Sequence, residues 1–579
     1  MAANQELAAM FDRMAKVLEL KGANRFRVNA YERAARTLEN MTDDVADYAA
    51  DVKTLTALEG IGEGMAEKIL EWFEAGDMAE YREVTGDVPA GLLDVLEIPG
   101  LGPKTVKRLW EEAGVESIGD LKEKLEGGEL ERMPRMGGKT LDNMREAIRF
   151  TESAGRRRRA GRALPLALRI IDALKEIDGL KRIDYAGSLR RGKETVGDVD
   201  VLVACDDPAA VADAFVNLDG VEQVIASGKT KSSIRLDKGL QVDLRIVPED
   251  RYGAALAYFT GSKEHNVRLR ERAVRMGYSL NEYGLWNKGE EDTKDAEPIV
   301  SKTEAEIYGK LGLAYVAPEL REDAGEIDAA EKGELPELIE LDDVRCDLHC
   351  HTTASDGHLS IEALADLAKG YGYHTVAVTD HSKSQVQASG LDDDRLRRHI
   401  DAVRKADEKT QGIRILAGTE VDILADGSLD YPDDLLEQLD IVVASPHTGL
   451  NQDPAKATDR LLKAIEHPSV HIIGHATGRI INKREGLSPD MGKLFEAAAK
   501  HGAAFEINAN PLRLDLRDSH ARAAIQAGAL LSINTDTHGR SDMALLPYGV
   551  RTARRAWARK EHVLNCRTAE QLTKWLGIA

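Results

Sequence analysis

Residues 184–203 read Asp184-Tyr185-Ala186-Gly187-Ser188-Leu189-Arg190-Arg191-Gly192-Lys193-Glu194-Thr195-Val196-Gly197-Asp198-Val199-Asp200-Val201-Leu202-Val203. The end of this run is β-branched and apolar, which predicts a strand. Asp198 and Asp200 are two residues apart on it, so both face one side. Two carboxylates on a common face repel each other unless a cation lies between them. Downstream, Leu240-Gln241-Val242-Asp243-Leu244-Arg245-Ile246-Val247 predicts a second strand with a single acid in an apolar run. Three such acids can hold two Mg²⁺ ions about 4 Å apart, the arrangement for in-line phosphoryl transfer. Gly187 and Ser188 offer backbone amides and a hydroxyl to a triphosphate, Gly197 frees the turn before the acids, and Arg191 offers a cation. A lone Asp-x-Asp usually marks a surface strand; the full string with a later strand acid is far more specific.

Upstream of this stretch the pattern changes. Residues 1–155 read as short amphipathic helices with almost no strand signal. Three glycine turns recur there: Leu58-Glu59-Gly60-Ile61-Gly62-Glu63-Gly64, Ile98-Pro99-Gly100-Leu101-Gly102-Pro103-Lys104 and Met133-Pro134-Arg135-Met136-Gly137-Gly138-Lys139. Each precedes a helical pattern. Glycine permits a tight turn, and the next helix presents free amides and its positive end to phosphate. These turns resemble helix-hairpin-helix motifs, which grip DNA backbone without reading bases. The formal net charge of -22 argues against nucleic acid, but residues 98–191 carry 21 basic against 15 acidic side chains. Phosphate contacts act within about a Debye length, so a basic stretch in an acidic chain can still hold a polyanion. Arg156-Arg157-Arg158-Arg159 is the densest run, and it reads equally well as a solvated linker.

Downstream, histidine appears. Fourteen of the 15 histidines follow residue 345; His265 is the exception. Seven apolar, β-rich runs recur after residue 343, separated by helical patterns, and each ends near a polar ligand type. Alternating strand and helix predicts a parallel barrel, with its active site at the strand C-termini. Nine candidates converge there: His349, His351, Asp356, His381, Glu420, His447, His475, Asp536 and His538. Mixed imidazole and carboxylate suit two or three Mn²⁺, Zn²⁺ or Fe²⁺ ions. Cys350 alternates with its two histidine neighbours and is expected to pack. The four cysteines show no framework spacing, which predicts a reducing, cytoplasmic setting. The amino terminus lacks the form of a signal peptide, and no run of about 18 apolar residues predicts a membrane span.

Residues 1–318 resemble the family X DNA polymerases, the DNA polymerase beta-like group. The resemblance includes Tyr258-Phe259-Thr260-Gly261-Ser262, followed by Asn266 and Arg270. It implies that Asp198, Asp200 and Asp243 bind Mg²⁺ or Mn²⁺. It also implies that Tyr258 and Phe259 lie against the nucleotide sugar, with Gly261 in the same nucleotide site, Asn266 at the base edge and Arg270 on the template side. Core packing is the competing reading of the two aromatic rings. Lys68, in Gly60-Ile61-Gly62-Glu63-Gly64-Met65-Ala66-Glu67-Lys68, falls on a lysine that forms a Schiff base with an abasic sugar, and Tyr31 falls on its helper. Gly64 departs from the animal pattern, where another phosphate-binding lysine stands, and Lys68 also reads as a solvated helix lysine. Residues 342–579 resemble the polymerase and histidinol phosphatase (PHP) domain, whose family hydrolyses phosphate esters on a metal cluster. Within it, Arg513 is a candidate phosphate ligand.

The chain is thus expected to be multidomain: helical helix-hairpin-helix N-terminal domains (residues 1–85, lyase-like, and 86–160), an α+β nucleotidyltransferase palm (161–250), a nucleotide-selection subdomain (251–318), a linker (319–341) and a C-terminal distorted (β/α)7 barrel (342–579). DNA-backbone contacts are expected at Gly60, Gly62, Gly100, Gly102 and Gly137. The expected partners are gapped or primer-template DNA and deoxynucleoside triphosphates, with no membrane and a monomeric state. The expected function is short-gap filling in repair. The barrel would act as a 3′-5′ exonuclease, 3′-end phosphoesterase or AP endonuclease. A polymerase fused to a small-molecule phosphatase, and a non-catalytic DNA-end scaffold, are the alternatives.

Overall fold

The computed structural model describes the chain except residues 1, 41–44, 59, 97, 99–100, 134–135, 139–140, 143, 146–147, 149–156, 237–238, 291–296 and 579. It forms two compact units, residues 1–155 and 156–579. The described residues of the first unit are helical or in turns, as their 3.6-residue periodicity predicts. Leu7, Phe11, Tyr31, Ile69, Val106 and Leu121 belong to its single apolar core. Gly62 caps the helix Glu63–Ala75 and Gly102 caps the helix Pro103–Ala113. Neither glycine can offer a side-chain cap to the first-turn amides of its helix.

The second unit begins with a five-stranded sheet. Asp198–Cys205 lies in its interior between Leu180–Tyr185 and Leu240–Ile246, and Lys231–Leu236 and Val221–Ala226 follow on the far side. Asp198–Cys205 and Leu240–Ile246 are parallel neighbours, with Asp200 paired to Asp243. The helices Tyr252–Thr260 and Lys263–Arg275 come next. The segment expected to be a linker, residues 319–341, is packed. It carries the helix Glu326–Lys332, and Ile327, Ala330 and Leu338 share an apolar cluster with Leu269 and Ile307. Its composition is largely polar, but its few apolar residues find a partner core. Arg321 is buried and pairs with Glu304 at 2.7 Å, and Glu326 pairs with buried His265 at 2.6 Å.

Seven strands then form one parallel sheet in strict chain order: Cys346–Asp347, Thr375–Val378, Arg414–Asp422, Ile441–Ser445, Ile472–Ile473, Ala504–Asn508 and Leu530–Asn534. A helix follows each one, so right-handed crossovers can cover the outer face. The first and last strands meet just beyond their ends. Cys350 bridges Thr537 in parallel register, and the His351 amide donates to the Thr537 carbonyl at 2.8 Å. The strand starts are plugged: Cys346, Ala377, Ile441, Ile472 and Ala504 pack with Leu572 and Leu576 of the helix Ala569–Leu576. The ligand side chains are thereby confined to the other, C-terminal end. Cys350 lies fully buried in the outer core, as expected from alternation.

Candidate active sites

In the sheet of the second unit, strand period and register put Asp198, Asp200 and Asp243 on one face. Burial and the charges of Asp198 and Asp243 push the Asp200 carboxyl from 3.8 to about 7. Burial and Asp243 raise Asp198 as well. Asp243 is drawn toward Lys231 at 3.4 Å and accepts from Gln241 Nε2 at 2.9 Å. Such mutual penalties mark carboxylates placed for a cation. Gly187 has φ +61°, and a Cβ there would lie 2.2 Å from Asp200 Oδ2, so the turn presses on the acid and only glycine fits.

The remaining nucleotide-site candidates gather around that turn. Arg191 Nη1 donates to the Thr260 carbonyl at 2.6 Å, and its Nε lies 3.0 Å from Glu322. Gly261 (φ +69°) stands against Arg191, where a Cβ would be 3.1 Å from Nη1. Ser188 lies within the one-turn helix Gly187–Arg190, and Gly197 directly precedes the acid strand. Tyr258 is exposed and meets Phe259 edge-on at 5.3 Å. Arg245 sits 5.0 Å from the Phe259 ring. Asn266 Nδ2 donates to the Tyr258 carbonyl at 2.7 Å. Arg270, one turn on, is exposed. Arg157, unremarked within its basic run, donates to the Thr195 hydroxyl at 2.9 Å and pulls against the rise in Asp198.

In the barrel the structure brings together all nine sequence candidates. Three groups have ligand atoms within 4.8 Å of one another: His351, Asp356, His381 and His538; His349, His351 and Asp536; and His381, Glu420 and His447. Among the described residues, the tight ligand groups all fall here. Glu420 is the hub. It lies 3.5 Å from His349, 3.7 Å from His351, 2.8 Å from His381, 3.3 Å from His447 and 2.9 Å from His475. Yet neither Glu420 oxygen is in a hydrogen bond, and neither are His349 Nε2 nor either nitrogen of His351. A buried carboxylate ringed by imidazoles, with these atoms out of hydrogen bonds, is a donor set that would hold divalent cations. Burial and the neighbouring His538 and His381 push His351 down to about 4, leaving the neutral imidazole that ligates metal. His475 (φ +23°) and Asp536 (φ +54°) hold strained backbones at the site, as functional residues often do.

Sequence reasoning missed the groups that orient these ligands. His349 Nδ1 meets Glu506 at 2.7 Å, which leaves Nε2 to face Glu420. His447 Nδ1 meets Asp422 at 3.1 Å, and Gln385 Nε2 holds both Asp422 oxygens at 3.0 Å. Asp380 accepts from the hydroxyls of Thr352 and Ser355, and His399 Nε2 lies 2.8 Å from it. Pairs such as Glu506–His349 and Asp422–His447 are of the kind that fix the tautomer of a metal ligand. A signal existed for the acids: Asp380 and Asp422 lie at apolar strand ends, and Glu506 is an acid within the apolar strand Ala504–Asn508.

In the first unit Lys68 Nζ lies 2.9 Å from Glu80, donates to the Gly64 carbonyl at 2.9 Å, and stands 5.9 Å from the Tyr31 ring. Burial opposes ionisation of Glu80, but bonds from Lys68, Tyr31 and Arg27 hold it below the usual carboxylate range. Gly60 (φ +91°) packs on Thr37, where a Cβ would clash at 2.4 Å. Gly62 and Gly102 are exposed, with open space around a Cβ. Gly137 is described and Gly138 begins a helical turn; Gly100 lies outside the described residues.

Comparison with known proteins follows the same division. Helix-hairpin-helix domain matches cover residues 2–78, a SAM-like helix-hairpin-helix tandem 92–149, the DNA polymerase beta palm 164–246, the DNA polymerase beta thumb 255–322 and the PHP domain 347–510. The DNA polymerase/3′-5′ exonuclease PolX of Bacillus subtilis (strain 168) is 36% identical over 574 residues, covering 99% of each chain. The chain belongs to the family X DNA polymerases that carry a PHP domain. DNA polymerase lambda of Rattus norvegicus is 25% identical over 343 residues, 55% of this chain and 56% of its own. A probable phosphatase of Thermoanaerobacter sp. (strain X514) is 28% identical over 231 residues, 38% of this chain and 89% of its own. This family X chain thus joins helix-hairpin-helix modules, a polymerase palm and thumb, and a seven-stranded parallel barrel. No helix among its described residues is long and apolar enough to cross a membrane.

Proposed function

We propose that the chain fills short gaps in damaged DNA from a primer 3′-OH and trims DNA 3′-ends in its barrel. The observation that carries the reading is the in-register pairing of Asp200 with Asp243 beside Asp198. These three would hold two Mg²⁺ or Mn²⁺ ions, which supply charge neutralisation for phosphoryl transfer. Asp243 would help accept the proton of the 3′-OH. Gly187, Ser188, Arg191 and Gly197 would receive the triphosphate. Tyr258 and Phe259 would line the sugar, Gly261 would belong to the same nucleotide site, and Asn266 would meet the base edge and Arg270 the template. The uncapped helix starts at Gly62 and Gly102, with the turns at Gly60, Gly100 and Gly137, would take DNA phosphates.

In the barrel, His349, His351, Asp356, His381, Glu420, His447, His475, Asp536 and His538 would hold two or three Mn²⁺, Zn²⁺ or Fe²⁺ ions. When bound, such ions lower the pKa of a ligand water toward about 7 and polarise a phosphate ester. The Bacillus subtilis relative is named a 3′-5′ exonuclease, which favours the DNA 3′-end as substrate. The likeness to a probable phosphatase favours a second reading, hydrolysis of a small phosphate monoester with Arg513 as its phosphate ligand. Primer extension and 3′-resection by the purified chain, with a small monoester in parallel, test both readings. Faster turnover of the monoester than of a DNA 3′-end would replace the first barrel reading by the second.

Lys68 is the candidate lyase nucleophile. Borohydride should trap it on a 5′-deoxyribose-phosphate end, and Lys68→Ala should lose most of that adduct. Equal trapping by the variant would place the chemistry elsewhere.

A further inference from the structure

The helix Leu546–Arg555 belongs to the barrel, yet two of its side chains end on the polymerase turn Gly187–Arg191. Arg551 Nη2 donates to the Leu189 carbonyl at 3.0 Å and to the Arg190 carbonyl at 3.4 Å. Arg555 Nη1 donates to the Arg191 carbonyl at 2.7 Å. Three consecutive carbonyls at the end of this turn, Leu189 to Arg191, thus accept from another domain; that of Leu189 also accepts from the Gly192 amide at 3.1 Å. The stems of both arginines lie 3.5 Å from the Cβ position of Gly192. Arg555 is buried and has a second task. Its Nη1 lies 3.0 Å from Glu322 Oε1, the same oxygen that Arg191 Nε meets at 3.0 Å. Arg191 must leave Glu322 to reach a triphosphate. With Arg555 in place, Glu322 Oε1 keeps a partner when Arg191 departs, while Lys193 Nζ lies 3.2 Å from the other oxygen, Oε2; without Arg555, Oε1 of this half-buried carboxylate would lose its second donor and hold Arg191 the harder.

We propose that this barrel helix is a working part of the polymerase nucleotide site. Arg551 and Arg555 are positioning residues that fix the Gly187–Arg191 turn and release Arg191 from Glu322. The proposal rests on the reading that this turn receives the triphosphate.

The test is single-nucleotide insertion by the full chain on a one-nucleotide gap, with deoxynucleotide concentration varied. Arg551→Ala and Arg555→Ala should each raise KM for the nucleotide about tenfold while kcat falls less than about threefold, the signature of lost binding rather than lost chemistry. Adding Glu322→Gln to Arg555→Ala should bring KM back toward wild type, because an amide holds Arg191 less tightly; a merely structural defect would not be rescued this way. Arg554→Ala, on the same helix but bonded to Glu319 and Glu340, should leave KM unchanged. Barrel metal content and 3′-end hydrolysis should persist in every variant, which also shows that the helix still folds. KM within about twofold of wild type in Arg551→Ala and in Arg555→Ala would overturn the proposal. So would an equal rise in Arg554→Ala. Asp200→Ala, run alongside, separates the two layers. Extension by that variant would remove the polymerase-site reading itself, whereas its inactivity with unchanged KM in the arginine variants would remove only the clamp.

Discussion

In the palm, three carboxylates share a sheet face, one of them exposed and one raised to about 7. In the barrel, five imidazoles surround a single buried carboxylate, and further acids hold those imidazoles in place. Both are sites where ligands crowd at a cost that a cation repays. They differ in what surrounds them. The palm acids have few orienting partners and can recover by taking a proton, so ions are expected to arrive with the triphosphate, whose oxygens complete their coordination. The barrel ligands are held by neighbouring acids, an arrangement expected to suit ions that stay. The difference teaches what to test: a palm site expected to take its ions with substrate, and a barrel site expected to keep them.

The sharpest way to break this comparison is to remove one centre and watch the other. Asp200→Ala should lower extension by about 10³ or more while 3′-end hydrolysis persists, and Glu420→Ala should do the reverse. Glu420→Ala should also lose bound transition metal by elemental analysis. Loss of both activities in either variant would mean that the centres are not independent. A smaller effect tests pre-orientation. Glu506→Gln keeps the shape beside His349 but weakens its hold on the ring, so barrel metal affinity should fall about 10–100-fold. An unchanged affinity in a metal-buffered titration would show that the barrel is no better arranged than the palm.

The smallest effect is a pH dependence confined to the palm. Asp200 rises from 3.8 to about 7 on folding, so the metal-free folded chain holds its proton more tightly than the unfolded one. Stability of the metal-free chain should therefore fall as pH rises from about 4 to about 7, then level off. A divalent ion must displace that proton, so apparent Mg²⁺ affinity in extension should climb by up to about tenfold per pH unit below about 7 and flatten above it. Mg²⁺ titrations at several pH values, with thermal melts in chelator, read both. A flat Mg²⁺ response across that window would remove Asp200 as the titrating group.

Much of this was legible because its signals are local. The Asp198–Asp200 spacing follows from strand period alone, and histidines at strand ends follow from barrel topology. The nine barrel ligands converge because they lie at or just beyond the C-terminal ends of six of the seven parallel strands. Register was not legible: nothing in either run says that Asp200 faces Asp243 rather than a neighbour. Nor were the long-range pairs, such as Glu506 with His349 or Arg555 with Glu322, which join residues more than 150 positions apart. Arg191 read as a triphosphate ligand, and only the fold reveals that Glu322 and Thr260 already hold it. The polar stretch 319–341 read as a linker because its composition is a loop's. Its role lies in the few side chains that are not.

That stretch decides where the molecule can be cut. A fragment ending at residue 318 would keep every palm acid yet strip Ile327, Ala330 and Leu338 from the thumb core, and leave Glu304 and His265 without Arg321 and Glu326. A polymerase fragment ending near residue 341 would retain them. The seam between the two enzymes therefore runs after this segment, and dissection at the wrong side of it would mistake a damaged thumb for a dependence on the barrel.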